Sequence, residues 1–253
     1  MIRVNSLHVK ERLLPLSFQC QEGEILHVVG PNGSGKSTLL SALAGVIDCA
    51  GDVLLGDFDI KKNSLSELAL RRAYLSQSEK PAFNLDVFQY LALSLPINSS
   101  LHDSKVKVKE AVKLFTHLLK IDDKLHRSIH QLSGGEWQRV RLAGSCLQVW
   151  PAINPYAQLL ILDEPGAPLD IAQEGMLYQL IAKMAQEGLA VVMANHDLNR
   201  SLQNANKVLL LEQGVVQSIG EPTEVLSEEN LRNVFNTSVR CVSLDGKPYL
   251  VFD

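Results

Sequence analysis

Paired cysteines are missing from this 253-residue chain: Cys20, Cys49, Cys146 and Cys241 lie far apart, and none forms a C-x-x-C pair. That spacing argues against a zinc site or a disulfide scaffold, and predicts reduced, mostly buried thiols in a cytosolic protein. No apolar stretch approaches the ~20 residues that a spanning helix needs. The first residues lack a charged-then-apolar signal pattern, so the chain is not expected to cross a membrane itself. A basic surplus is absent too. The 24 Lys and Arg against 28 Asp and Glu leave a formal net charge of −4. That balance suggests no polyanion-binding surface, and no nucleic-acid partner is expected. Aromatic residues are only 6% of the chain, and none precedes Phe18. We find no internal repeat and no low-complexity segment.

The hydrophobic content of 46% and charged content of 21% support a substantial core. The length fits one large domain, or a core with a sub-domain. The most informative stretch is Gly30-Pro31-Asn32-Gly33-Ser34-Gly35-Lys36-Ser37-Thr38, which reads G-x-x-x-x-G-K-S. An apolar run, Ile25 to Val29, precedes it and a helix-forming run, Leu39 to Ala44, follows. Strand, glycine-rich loop and helix together make a phosphate site. The glycines let backbone N–H groups approach phosphate oxygens, and the helix start adds its dipole. Lys36 is expected on the β- and γ-phosphates of a triphosphate, the Ser37 hydroxyl on Mg²⁺, and Thr38 by the α-phosphate.

The rest of the chain reads as alternating strands and helices, which implies a mostly parallel α/β sheet. In residues 1–22, Leu14, Leu16, Phe18 and Cys20 alternate with polar positions and Pro15, predicting one buried strand face. A strand and turn cover Gly51 to Asp57. Ser66 is expected to cap a helix running to Arg72, and Ala73 to Gln77 reads as a strand with a polar end. Beyond Lys80 the pattern turns helical. Asp86 caps a run from Val87 to Leu95. A polar segment, Asn98 to Ser104, leads into a helix whose apolar positions include Val108, Ala111, Val112, Phe115, Leu118 and Leu119. The lysines around that helix (Lys105, Lys107, Lys109, Lys113) read as a solvated face. A third helix is expected from Glu136 to Val149. We read 81–150 as a helical insertion, with 1–80 and 151–253 forming the core. Leu159 to Asp163 and Leu189 to Met193 are continuous apolar runs suited to central parallel strands. Asp170 and Asp197 cap helices. Gln213-Gly214 and Asp245-Gly246 mark two hairpins, with a helix from Ser227 to Phe235 between them.

Two further segments can carry chemistry. Asp163 and Glu164 end a buried strand, where one acid can hold Mg²⁺ and its neighbour can polarise an attacking water. Taken alone, the pair reads equally well as acids in a turn. Leu132-Ser133-Gly134-Gly135-Glu136 exposes backbone N–H groups at a helix start. Alone it is also a sound capping box, Ser133 with Glu136.

The set resembles the ATP-binding subunit of ABC transporters, over nearly the whole chain. It comprises Gly30 to Ser37, Gln77 at a strand end, Leu132 to Glu136, Leu159 to Glu164, Asp170, and His196 after an apolar strand. The resemblance implies an α/β P-loop NTPase core with an N-terminal antiparallel β subdomain and a helical insertion. It implies that the chain hydrolyses ATP with Mg²⁺, and that Gln77 meets the metal and senses a transmembrane permease. Ser133, Gly134 and Gly135 then contact the γ-phosphate held by a second copy. His196 contacts the γ-phosphate, and Asp170 lies in the loop crossing a homodimer that sandwiches two ATP. Glu164 is the implied general base, and Asp163 a further Mg²⁺ ligand beside Ser37 and Gln77. The chain departs from the family pattern twice. No aromatic residue upstream of the phosphate loop is free to stack adenine, since Phe18 falls on a buried face, and Arg12 is the alternative. Ala167 stands where a serine is common.

Narrower segments, Ser133 to Ala143, Asn154-Pro155 with Gln158 to Pro165, Tyr74 to Gln77, and Asp122 to Leu125, resemble the branch that powers bacterial vitamin B12 import. That implies a position on the cytoplasmic face of the inner membrane and a periplasmic binding protein as an indirect partner. Iron–siderophore or haem cargo is a sibling reading, and a soluble ABC ATPase such as an iron–sulphur assembly subunit is another. A DNA-repair or translation ATPase fits poorly, for lack of a long heptad insertion, a second ATPase half and a basic surface.

Overall fold

Two sheets of different construction face each other, and the phosphate loop lies where they meet. The computed structural model describes residues 1–77, 81–96 and 102–252. Lys80, and residues 98–101 of the expected polar segment, lie outside the described residues. In chain order the strands and helices begin with β1 (Ile2–Val9), β2 (Leu13–Cys20), β3 (Ile25–Val29), α1 (Lys36–Leu43), β4 (Ala50–Leu55), β5 (Phe58–Asp59), α2 (Leu65–Arg71) and β6 (Arg72–Leu75). Next come α3 (Val87–Leu93), α4 (His102–Leu118), α5 (Gly134–Gln148), β7 (Leu159–Asp163), α6 (Ile171–Gln186), β8 (Ala190–Ala194) and α7 (Leu198–Asn204). The chain continues with β9 (Lys207–Glu212), β10 (Val215–Gly220), α8 (Pro222–Val225), α9 (Glu228–Phe235), β11 (Val239–Leu244) and β12 (Lys247–Phe252).

The first sheet is antiparallel, ordered β2-β1-β4-β5. The second is ordered β10-β9-β3-β8-β7-β6, and only β10 runs antiparallel to its neighbour. Its three central strands, β3, β8 and β7, are buried along their whole length. This is why they read as unbroken apolar runs: both faces are covered. One face packs with α1 on the antiparallel sheet, through Leu26, Val28, Leu39, Leu43 and Ile161. The other packs on the helices, through Leu160, Leu162, Val140, Leu147 and Leu180. A third cluster joins α7, α8 and α9 to the β11-β12 hairpin, with Leu202, Val225, Leu231, Val239 and Leu250 at its centre.

The structure corrects several local expectations. Leu14 is 59% exposed, not on the buried face with Leu16, Phe18 and Cys20. Leu16 pairs with Leu7 and Leu13 with Val9, so three residues of β2 span a register shift and the alternation inverts there, putting Leu13 inward. The cap of α2 is Ser64 rather than Ser66. Ser64 N donates to Glu67 Oε2 at 2.9 Å, and Glu67 N donates to Ser64 Oγ at 3.3 Å. Arg72 already belongs to β6. The helix capped at Asp86 ends at Leu93, and α5 starts at Gly134, two residues before Glu136. All four cysteines are free, but only Cys20 and Cys146 are buried. No helix among the described residues is long and apolar enough to cross a membrane.

Candidate active site

Phosphate chemistry begins with backbone room. Gly30 has φ 153, and a Cβ there would sit 2.0 Å from the carbonyl oxygen of Leu211 in β9. Gly33 (φ 77) and Gly35 (φ 106) take conformations that favour glycine, and Gly35 caps α1. Pro31 and Asn32 complete the rim. The Ser34 hydroxyl is buried in this loop without a hydrogen-bond partner. A buried, unsatisfied donor beside glycine N–H groups suits an anion.

Lys36 is buried and holds the loop from inside, its Nζ donating to Gly30 O at 2.9 Å and Pro31 O at 3.2 Å. Burial lowers its affinity for a proton, and Glu164 and Asp163 oppose that shift. Glu164 Oε1 lies 3.8 Å from the ammonium. Asp163, at the buried end of β7, accepts from Ser37 Oγ at 3.1 Å. Burial pushes its carboxyl above the usual carboxylate range, against the pull of Ser37 and Lys36. Glu164 has φ 47 and accepts from Gln77 Nε2 at 2.9 Å. So Lys36, Ser37, Gln77 and Glu164 do converge around a cavity of about 780 Å³ that Thr38 also lines. Arg12, Glu11 and Gln213 also line it. Asp163 stands behind that wall, joined to it through Ser37. Phe18 is buried, as expected.

Other expected residues stand apart from this cavity. His196 is exposed just beyond β8 and is not in the cavity wall. Asp170 is exposed and caps α6, accepting from Gln173 N at 2.8 Å. Ser133 forms the capping box, Glu136 N donating to Ser133 Oγ at 3.2 Å and Ser133 N to Glu136 Oε2 at 2.8 Å. Within one chain the structural reading of that segment therefore holds. Gly134 has open space around it. A Cβ on Gly135 would lie 2.8 Å from Gln173 Oε1 and 3.2 Å from Pro168 O, so the start of α5 abuts the loop of Asp170.

Two residues of α5 connect these parts, and no local pattern assigned them a role. Gln138 Nε2 donates to Pro165 O at 2.8 Å, just beyond Glu164. Arg141 donates to Gln138 Oε1 at 3.1 Å and also to Ser76 O, beside Gln77. Their spacing of three on a helix was a readable signal; their partners, far away in sequence, were not.

Known proteins of this kind match closely. The ABC transporter family model matches residues 13–167. The vitamin B12 import ATP-binding protein BtuD of Vibrio cholerae is 62% identical over 253 residues, covering 100% of both chains. That of Vibrio atlanticus is 59% identical over the same span. Among solved structures, an ATP binding subunit of an ABC transporter superposes with TM-score 0.77 at 18% identity, over 93% of each chain. The protein cbiO1 of Clostridium perfringens, part of the ABC transporter complex cbiONQ, gives 0.73 at 24% identity over 93% of this chain and 94% of that one. The structures establish the fold, and the family match and full-length relatives establish kinship: the chain belongs to the ABC transporter family.

Proposed function

We propose that this chain is the ATP-hydrolysing motor subunit of a bacterial vitamin B12 importer. The full-length 62% identity to vitamin B12 import ATP-binding proteins carries that reading. The convergence of Lys36, Ser37 and Glu164 on one cavity, with Asp163 bonded to Ser37, supports the chemistry.

On this reading the loop from Gly30 to Thr38 wraps the phosphates of ATP, and Lys36 turns its ammonium from the loop carbonyls to the β- and γ-phosphates. Ser37, Asp163 and Gln77 would hold Mg²⁺. The donors are hard oxygens, which suit that ion. An ion held by these residues would supply positive charge beside the phosphates. Glu164 orients and deprotonates the attacking water, with its carboxylate held by Gln77 Nε2. His196 contacts the γ-phosphate. Arg12 covers the base in place of an aromatic ring.

The site is open to one side, and the N-terminus of α5 in a second copy completes it. Ser133, Gly134 and Gly135 bring N–H groups to the γ-phosphate across a twofold axis, with Asp170 beside the same interface. Residues 81–150 act as a helical subdomain that carries this segment. Transmembrane permease subunits anchor the dimer at the cytoplasmic face of the inner membrane, and a periplasmic binding protein delivers cargo to them. Affinity purification from detergent-solubilised membranes tests this: a polytopic permease should co-purify. Recovery with soluble partners alone contradicts it.

A further inference from the structure

His196 stands on a short turn between β8 and α7, and the side chain before it is tied to everything around that turn. Asn195 is buried. Its carboxamide closes a ring past His196, with Oδ1 accepting from Asp197 N at 3.2 Å and Nδ2 reaching Asp197 O at 3.2 Å. The same Nδ2 lies 3.0 Å from Tyr178 Oη on α6 and 3.1 Å from Ser201 Oγ on α7. Ser201 Oγ donates to Asp197 O at 3.0 Å and lies 3.0 Å from Nδ1 of the fully buried His27 on β3. The backbone N–H of Asn195 donates to Val28 O at 3.0 Å, on the strand that feeds the phosphate loop.

We propose that Asn195 is a positioning residue for ATP hydrolysis. With Tyr178, Ser201 and His27 it fixes the backbone on both sides of His196, and so the direction in which the imidazole leaves the turn. This rests on the reading of His196 as a γ-phosphate contact. A buried carboxamide needs partners, but here they are the far flank of the His196 turn and the two helices beside it. An exposed side chain has no packing to hold it, so its aim depends on the backbone that bears it. A displacement of about 1 Å in a group that contacts the reacting phosphate costs roughly a hundredfold in rate. Asn195 does not line the cavity, so the proposal leaves nucleotide binding independent of it.

The test uses the full-length protein with three variants: Asn195→Ala, Tyr178→Phe and His196→Ala. Tyr178→Phe removes one hydroxyl and keeps the ring, which covers the case in which Asn195→Ala fails to fold. We expect Asn195→Ala to lower kcat about tenfold or more at an unchanged Kd for ATP, and Tyr178→Phe to move kcat less in the same direction. With labelled histidine, the imidazole Cε1–H signal of His196, assigned by its loss in His196→Ala, should shift or broaden in Tyr178→Phe. The signal of the distant His8 should stay in place. An unperturbed His196 signal overturns the proposal, as does parental kcat in both variants while His196→Ala is impaired. Equal losses in ATP affinity and rate also overturn it. If His196→Ala hydrolyses ATP at the parental rate, the reading of His196 fails instead, and the labelled signal still decides whether Asn195 holds that side chain.

Discussion

Gly30 can accept no side chain. A Cβ at that position would meet the Leu211 carbonyl oxygen at 2.0 Å, and with φ at 153 only backbone could move to relieve the clash. Gly30→Ala should therefore lose about 3 kcal/mol or more in denaturant unfolding, and ATP binding with it. Glu164 sits at φ 47, a conformation an L-residue holds only when its surroundings impose it, and Gln77 and Lys36 flank its carboxylate. Glu164→Gln keeps the shape and the Gln77 contact but removes the base. Hydrolysis should fall roughly 10²- to 10⁴-fold with ATP affinity retained, as steady-state kinetics and nucleotide titration would read. His27 carries a prediction about pH. Burial lowers its pKa from 6.5 to about 3. The unfolded chain takes up that proton below about 6.5 and the folded chain does not, so stability is present above 6.5 and is lost as pH falls toward 3. Between pH 6.5 and 5 this one group should remove roughly 1.5 kcal/mol. His27→Leu should flatten that part of a stability-against-pH curve; an unchanged slope would contradict the assignment.

The helix α5 is a brace as well as a carrier of its own N-terminus. Through Gln138 it holds Pro165, and through Arg141 it holds Ser76, so the segments bearing Glu164 and Gln77 are tied to one rigid element. Removing Arg141 takes a donor from the buried Gln138 Oε1 and the half-buried Ser76 O. Arg141→Ala should cost roughly 1–3 kcal/mol in thermal or denaturant unfolding and should lower hydrolysis more than ATP affinity. Such long-range ties were not legible in the chain, whereas the phosphate loop was. Glycine spacing and a lysine at a helix start are a local pattern with a local cause. The central strands were equally clear, because burial on both faces leaves Leu159 to Asp163 unbroken. Leu14 misled because period two assumes an uninterrupted register, and the register shifts between Leu16 and Leu13. Ser66 misled because Ser64 and Glu67 make the stronger, reciprocal cap. The Ser133 segment was readable in two ways, and a single chain uses only one of them, the capping box. The other belongs to the proposed dimer.

At the scale of the whole molecule, the proposed function makes the exposed Ser133 and Gly134 and the cavity at Lys36 parts of one site divided between two chains. Glu164→Gln with excess ATP and Mg²⁺ should run as a dimer on a sizing column, since the bridging nucleotide cannot be cleaved. A monomer under those conditions would contradict the shared site. The central claim, that this site drives vitamin B12 import, is tested most directly by uptake of labelled cobalamin in source cells that lack the gene. Our account predicts that uptake is lost, returns with the parent protein and does not return with Glu164→Gln. Normal uptake without the gene would contradict the vitamin assignment, and restoration by Glu164→Gln would contradict the requirement for hydrolysis.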